Sequence, residues 1–428
     1  MNILLVTNTY TPHVGGVARS VEAFAGEYRR RGHQVLVVAP EFPDMPADET
    51  GVLRVPAIQE FNASDFSVVL PTHPPLTAAL DAFGPDIVHS QHPFLLGSTA
   101  VRIARYRGLP LVFTHHTLYE QYTHYVPGDS PALKRFTVEL ATRYANLCDQ
   151  VFAPSQSIRD LLRERGVRTP IEVVPTGVHI ERFAQGDGAT VRAQAGIPAD
   201  ALVVGHLGRL APEKNLALLA EAVAQFIAAE PKAHFLVVGS GPSADEMRAI
   251  FATAGVEARL HFAGTLQGQA LADALHAMDL FAFASKSETQ GMVLTEAMAA
   301  GLPVIALDAA GVREVVSDCE NGRLLREETP EAFTAALRWA AALDDDASAA
   351  LRQSALETAA AYSMEQSATT ALECYRAVRV RSADEFEPAQ NLWEEILGAL
   401  RTEWSLFMNL AGASDAALGG ERDPGEPR

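Results

Sequence analysis

Leu280-Phe281-Ala282-Phe283-Ala284-Ser285-Lys286-Ser287-Glu288-Thr289-Gln290-Gly291-Met292-Val293-Leu294-Thr295-Glu296-Ala297-Met298-Ala299-Ala300-Gly301 reads as an apolar strand, a short polar turn and the start of a helix. A helix N-terminus that follows a strand is a ready site for phosphate, because its first N–H groups lack intrahelical acceptors and carry the positive end of the macrodipole. Glu288 and Glu296 flank Gly291 in this stretch. Within such a site one carboxylate stands at the mouth and the other about two turns down, ~12 Å of rise, so that the pair can grip two parts of one ligand. Gly208-Arg209-Leu210-Ala211-Pro212-Glu213-Lys214-Asn215 lies upstream, after another apolar run, and supplies two cations. Cations, backbone amides and paired carboxylates suit a sugar nucleotide, with phosphates on one side and hydroxyls on the other.

The same grammar runs outward in both directions. Apolar strands are predicted at 3–7, 34–39, 86–90, 111–114, 150–153 and 172–175, and again at 202–206, 235–238, 260–262, 280–283 and 304–307. Their near-continuous hydrophobicity predicts parallel sheets covered on both faces. Helical patterns fall between them, for example 17–31, stopped by Gly32. The fold class is therefore α/β, with two Rossmann-like doubly wound domains in series. Gly186, Asp187, Gly188 and Pro198 place the junction near 181–200, giving domains at 1–185 and 190–362. The turns at Gly15-Gly16, 114–125, 208–214, 239–241 and 288–291 all follow strands, so both domains are expected to face a shared cleft. A helix near 365–380, containing Tyr375, is expected to cross back and complete the first domain. An extra amphipathic helix at 388–410 carries Trp393, Ile396, Leu397, Leu400, Trp404 and Phe407 on one stripe, to pack on the body, a second subunit or a membrane. Residues 412–428 have the composition of a disordered tail.

The chain has 428 residues and 48% hydrophobic content, enough for two cores. It contains no apolar run long enough to span a bilayer. The net charge of -19 excludes nucleic acid as an expected partner. Residues 1–190 hold 16 basic against 19 acidic side chains and the rest 18 against 34, so the first half can approach an anionic surface more easily. Cys148, Cys319 and Cys374 form neither metal nor disulfide spacing. With a strand pattern at the very start and no basic leader, they point to the cytoplasm. Asp344-Asp345-Asp346 reads as a solvated turn, and no metal site is expected.

Taken in order, Pro12-His13-Val14-Gly15-Gly16-Val17, the Arg209/Lys214 turn, Ser287–Gly301, and Gly311-Val312-Arg313-Glu314-Val315-Val316 followed by Asn321-Gly322 span most of the chain. Together they resemble the retaining GT-B glycosyltransferases of glycosyltransferase family 4. The resemblance implies a donor diphosphate held by Arg209 and Lys214, sugar hydroxyls by Glu288, and the nucleotide ribose by Glu296. It implies that Thr289, Gln290, Gly291 and Met292 offer backbone amides, and that the Gly15-Gly16 loop lies against donor and acceptor, although two glycines also make a simple tight turn. G-x-G-x-x-G spacing is absent, which speaks against a nicotinamide cofactor. A family histidine at the reacting sugar maps to His116, with His115 as second choice. His116, Arg209, Lys214 and Glu288 form the expected catalytic set.

The aromatic run Thr117-Leu118-Tyr119-Glu120-Gln121-Tyr122-Thr123-His124-Tyr125 resembles bacterial diacylglycerol glucosyltransferases. Tyr119, Tyr122 and Tyr125, with His116, would line an acceptor channel, or pack as an ordinary loop. Arg102, Arg105, Arg107, Lys134 and Arg135 lie nearby and either meet anionic lipid or form a solvated face. The function implied is hexosyl transfer with retention, from a sugar nucleotide with UDP-glucose as the expected co-substrate and no further cofactor. The acceptor would be a lipid hydroxyl such as that of diacylglycerol, reached from the cytoplasmic side as a peripheral membrane protein. Front-face attack is the favoured route, and Glu288 as covalent nucleophile is its rival. Alternatives are a soluble sugar or sugar-phosphate acceptor, or a sugar-nucleotide epimerase.

Overall fold

The computed structural model describes residues 1–13, 15–46, 48–58, 68–69, 74–123, 130–385, 401–406, 408–410 and 413–414. It divides into two compact units: Met1–Pro175 with the chain from Ser367 onward, and Thr176–Gln366.

The first unit carries β1 (Asn2–Val6), β2 (Gln34–Pro40) and β3 (Val52–Val55), then the short β4 (Ala57–Ile58) and β5 (Val68–Val69), then β6 (Ile87–Ser90), β7 (Leu111–Thr114), β8 (Gln150–Ala153) and β9 (Ile171–Val173). Seven of them form one sheet in the order β3-β2-β1-β6-β7-β8-β9, parallel at every pairing. Its helices are α1 (Gly16–Arg30), α2 (Pro74–Phe83), α3 (Leu96–Arg107), α4 (Pro131–Ala145) and α5 (Gln156–Glu164). α1 stops where expected, with Gly32 at φ 81, a conformation that glycine adopts without a Cβ clash.

The second unit has α6 (Ile180–Phe183) and α7 (Gly188–Ala195), then β10 (Leu202–Leu207), α8 (Leu216–Ala229), β11 (Ala233–Val238), α9 (Ala244–Thr253) and β12 (Leu260–Gly264). It continues through α10 (Gly268–His276), β13 (Leu280–Phe283), α11 (Met292–Ala299), β14 (Val304–Leu307), β15 (Gly322–Leu325), α12 (Pro330–Ala341) and α13 (Asp345–Ala361). The sheet order is β12-β11-β10-β13-β14-β15. Successive strand residues fall into two separate cores: Val203, Phe281 and Phe283 into one, Val204, Leu280 and Ala282 into the other. That alternation within an unbroken apolar run is what a sheet covered on both faces requires. Full burial of each of these phenylalanines contributes about 1.5–3 kcal/mol.

The chain passes between units at Pro175/Thr176, ahead of the expected break. Gly186 and Gly188 do not form a linker. A Cβ on either would strike the backbone of α10, at 2.7 Å from Ala272 O and 2.1 Å from His276 O. Asp187 caps α7 by accepting from the Thr190 N–H. These glycines mark close packing, which has the same sequence signature as a loop. Asp344 is likewise a helix cap, accepting from the Ala347 N–H at 2.8 Å.

The return helix α14 (Met364–Glu385) begins in the second unit and continues in the first. Its Tyr375 is fully buried, with its hydroxyl 2.5 Å from His89 Nδ1 and 3.2 Å from the Tyr28 hydroxyl. Of the expected tail helix, residues 401–406 and 408–410 are helical, and Glu403 pairs with Arg102 at 2.7 Å. Trp404 is 64% exposed on this chain, whereas Thr402 and Asn409 are buried. Trp393, Ile396, Leu397, Leu400 and Phe407 lie outside the described residues. Ala413, expected in a disordered tail, is buried. Among the described residues no helix is long and apolar enough to cross a membrane.

Candidate functional site

In an open parallel sheet, ligands bind beyond the carboxyl ends of the strands, where the strand order reverses. The second unit reverses between β10 and β13. Two turns leave the sheet there, Gly208–Asn215 after β10 and Ala284–Gly291 after β13, and they hold most of the residues singled out above.

Lys214 closes a single 3-10 turn, Pro212–Lys214, and its ammonium lies 2.5 Å from Glu288 Oε1, joining the two turns. Both side chains are more than four-fifths buried, at 16% and 17% exposure. Arg209 pairs with Glu213 and is half exposed. Each cation of the turn therefore stands beside a carboxylate. Such ion pairs at a switch point can be exchanged for phosphate on one side and hydroxyl groups on the other.

Glycine shapes the approach of the neighbouring loops. A Cβ on Gly311, in the turn after β14, would stand 2.3 Å from Gln290 N, and the Gly311 N–H donates to Glu288 O at 3.1 Å. A Cβ on Gly239, in the turn after β11, would stand 1.9 Å from Gly208 O. The turns at this switch point are thus held by backbone contacts that a side chain would prise apart.

α11 begins at Met292, capped by Gly291 in the left-handed region at φ 77. Glu288 therefore belongs to the turn and not to the helix, and the spacing to Glu296 is one of turn plus helix. The two-turn rise anticipated from sequence does not apply. Met292 and Val293 supply the first-turn N–H groups that a helix leaves without intrahelical acceptors. Glu296 lies in the second turn of α11 and is 4% exposed. Thr289 is half-buried beside them. The Gln290 side chain is engaged elsewhere: it accepts from the Thr176 N–H at 2.7 Å and donates to the Thr176 carbonyl at 2.6 Å. It ties the start of this unit to the turn.

Beneath these turns lies a residue that the sequence did not single out. His206, near the end of β10, is fully buried. Burial pushes its pKa down to about 4, with the Ala282 carbonyl and Glu288 opposing the effect and Lys214 adding to it. A polar residue inside an otherwise apolar strand next to Gly208 was the available signal.

In the first unit the strand order reverses between β1 and β6. α1 opens at Gly16, with Gly15 as its N-cap in extended backbone. A Cβ on Gly16 would meet nothing within 4 Å, whereas one on Gly15 would stand 3.0 Å from His13 Nε2, so the first glycine is crowded by a side chain and the second begins the helix at an open spot. The carboxyl ends of β6 and β7 bring histidines together. His116 Nε2 lies 2.7 Å from Gln91 Oε1; since that carbonyl oxygen only accepts, Nε2 carries the hydrogen and Nδ1 the lone pair. His89 is held between Tyr375 and the Thr114 hydroxyl, the latter at 2.7 Å from Nε2. The Asn8 N–H donates to His92 Nδ1 at 3.1 Å. His115 is buried edge-on against Phe113 and Tyr119, with ring centroids at 5.9 and 5.8 Å. Burial lowers the pKa of His89, His92, His115 and His116 to about 3, so all four are neutral at pH 7. Tyr119 opens a short 3-10 turn and packs on Phe94 at 5.3 Å, and burial raises its hydroxyl above the usual tyrosine range. Tyr122 follows it, half-buried. Tyr125 lies outside the described residues.

Two doubly wound units in series, the second with cations and carboxylates at its switch point, are the architecture of GT-B glycosyltransferases. The model of Glycosyltransferase Family 4 matches residues 14–182, and that of Glycosyl transferases group 1 matches residues 188–358. The chain is 33% identical to the GDP-mannose-dependent alpha-mannosyltransferase of Mycolicibacterium smegmatis, over 76% of this chain and 84% of that one. It is 29% identical to the alpha-monoglucosyldiacylglycerol synthase of Streptococcus pneumoniae, over 76% and 75%. Among solved structures, Anabaena HepE in complex with UDP superposes with a TM-score of 0.68 at 24% identity, covering 88% of this chain and 100% of that one. The chain belongs to glycosyltransferase family 4.

Proposed function

We propose that the protein is a retaining hexosyltransferase that moves glucose from UDP-glucose to a lipid hydroxyl such as that of diacylglycerol, giving an α-glycoside. The observation that carries the donor half is the ion pair between Lys214 and Glu288, which joins the two turns at the switch point of the second sheet. A sugar nucleotide exchanges that pair: the diphosphate takes Lys214 and Arg209, and the sugar hydroxyls take Glu288. The amides of the Thr289–Met292 turn and helix start meet phosphate and sugar, and Glu296 holds the ribose. Lipid as acceptor is supported by the likeness to a glucosyldiacylglycerol synthase and by the aromatic run beginning at Tyr119. In this reading His116, Tyr119, Tyr122 and Tyr125 receive the acceptor, and the Gly15-Gly16 helix start lies against the donor. The protein works at the inner membrane surface, from the cytoplasm.

As the bond from the anomeric carbon to the leaving phosphate oxygen breaks, negative charge grows on the diphosphate and positive charge on the sugar ring. Lys214, Arg209 and the start of α11 stabilise the leaving charge. The acceptor hydroxyl attacks from the face that the diphosphate leaves, and its proton passes to a phosphate oxygen. No side chain need become covalently attached. His116, neutral at pH 7, is assigned to the acceptor side of the reaction.

A GDP-mannose donor is the second reading, favoured by the 33% identity to a mannosyltransferase of that specificity. A soluble sugar or sugar phosphate is the second reading for the acceptor. Incubation with UDP-glucose and diacylglycerol, followed by lipid extraction and proton NMR of the product, tests the proposal. The expected product is a glucosyl lipid with the small anomeric coupling of an α-linkage. A β-linked product would remove retention, and a glycosylated lipid formed only from GDP-mannose would replace the donor.

A further inference from the structure

β10 and β13 pair only at Val204 with Leu280 and Gly205 with Phe281. One residue further the ladder ends and the strands open into the switch point. His206 fills that opening. Its ring is stacked on Phe281 and Phe283, with centroids at 6.4 and 6.1 Å, and its Nδ1 lies 3.0 Å from the Ala282 carbonyl oxygen. A carbonyl only accepts, so Nδ1 bears the hydrogen and Nε2 is left with its lone pair. That Nε2 is buried and meets no hydrogen-bond partner among the described residues. It lies 3.5 Å from the position a Cβ would take on Gly208, so it faces the turn that leads to Lys214. Lys214 and Glu288 are also the two charged side chains whose fields act on this ring. A buried acceptor left unmet is costly to keep, and Lys214, in the turn that this nitrogen faces, carries donors able to meet it.

We propose that His206 is a positioning residue of the donor site, whose Nε2 takes the Lys214 ammonium as a hydrogen-bond partner when a sugar nucleotide displaces that ammonium from Glu288. The inference rests on the reading of the Lys214 turn as the diphosphate site. An ammonium has three N–H donors and no preferred plane. One bond to His206 below would leave the other two directed at phosphate oxygens above. Glu288 could then turn to the sugar without leaving Lys214 unanchored.

The test uses binding of UDP, and of GDP in parallel, by calorimetry to the full-length protein, with thermal unfolding of every variant. In His206→Asn the side-chain amide nitrogen can still donate to Ala282 O, but nothing stands where Nε2 was. His206→Gln carries an amide oxygen out to that region. We expect His206→Asn to unfold near the wild-type temperature and to bind the preferred diphosphate about tenfold more weakly, the effect of one lost hydrogen bond to a charged group. We expect His206→Gln to recover most of that affinity. In a Lys214→Ala background, His206→Asn should weaken binding no further. An unchanged affinity in His206→Asn, or an equal loss in both backgrounds, would show that His206 only plugs the opening beside Ala282. If the wild-type protein binds neither diphosphate, the donor-site reading falls and the role of His206 falls with it.

Discussion

At the scale of single residues, the proposed roles of Glu296 in binding and Lys214 in chemistry can be separated by substitution. Glu296 is buried in the second turn of α11, where a carboxylate bonding a ribose hydroxyl is worth about 1.5–3 kcal/mol. Glu296→Ala should therefore weaken donor binding by about ten- to a hundredfold, as read by titration with the nucleoside diphosphate. Its unfolding temperature should stay near that of the parent, because the substitution removes a buried carboxylate from a helix that alanine favours. Unchanged donor affinity would sink the ribose assignment. Lys214→Ala should lower kcat by about 10²–10³, the loss typical when one donor to developing negative charge is removed. Steady-state kinetics at saturating donor measure this, and a change confined to KM would mean that Lys214 binds ground state and transition state alike.

The strands, helices and turns show why so much of the fold could be read from sequence, and where the reading failed. The central strands β1, β6, β7, β10, β13 and β14 are mostly apolar runs, buried on both faces, and were located almost to the residue. The edge strands β3 (Val-Leu-Arg-Val) and β15 (Gly-Arg-Leu-Leu) were missed, because an edge position with one partner tolerates an arginine and a glycine. Glycine misled at the domain boundary, since Gly186 and Gly188 permit contact with α10 and do not mark a linker. The charged turns of the candidate site were legible because their residues are adjacent in sequence. His206 was not, because its meaning depends on Ala282, Phe281 and Phe283, which are brought beside it only by the sheet. Gly311 tests the coupling between turns. Gly311→Ala would place a Cβ 2.3 Å from the Gln290 amide nitrogen, a backbone atom that cannot swing aside. It should cost about 1–3 kcal/mol of stability and weaken donor binding as well, both measurable on the same sample by denaturant melts and titration. Wild-type donor affinity in a stably folded Gly311→Ala protein would show that the turns do not hold one another.

Across the whole molecule, the buried histidines set the response to acid. His89, His92 and His115 in the first unit and His206 in the second are buried and hold pKa values of about 3 and about 4. Below pH 6.5 the unfolded chain takes up protons on these side chains while the folded protein does not, so folding stability is complete above that pH and lost as pH falls. Each such histidine costs up to about 1.4 kcal/mol per pH unit between 6.5 and its folded pKa. The unfolding temperature should therefore be nearly flat from pH 7 to 8 and fall steeply between pH 6.5 and 4. A flat profile down to pH 4.5 would show that the histidines are solvated. The claim on which the functional account rests is more directly measured by nucleotide release from a panel of sugar nucleotides, including UDP-glucose and GDP-mannose, with and without diacylglycerol in anionic mixed micelles. UDP release from UDP-glucose is expected to rise sharply only when the lipid is present. Release that ignores the lipid but is triggered by a soluble sugar or sugar phosphate would contradict the lipid acceptor, and release only from GDP-mannose would contradict the donor.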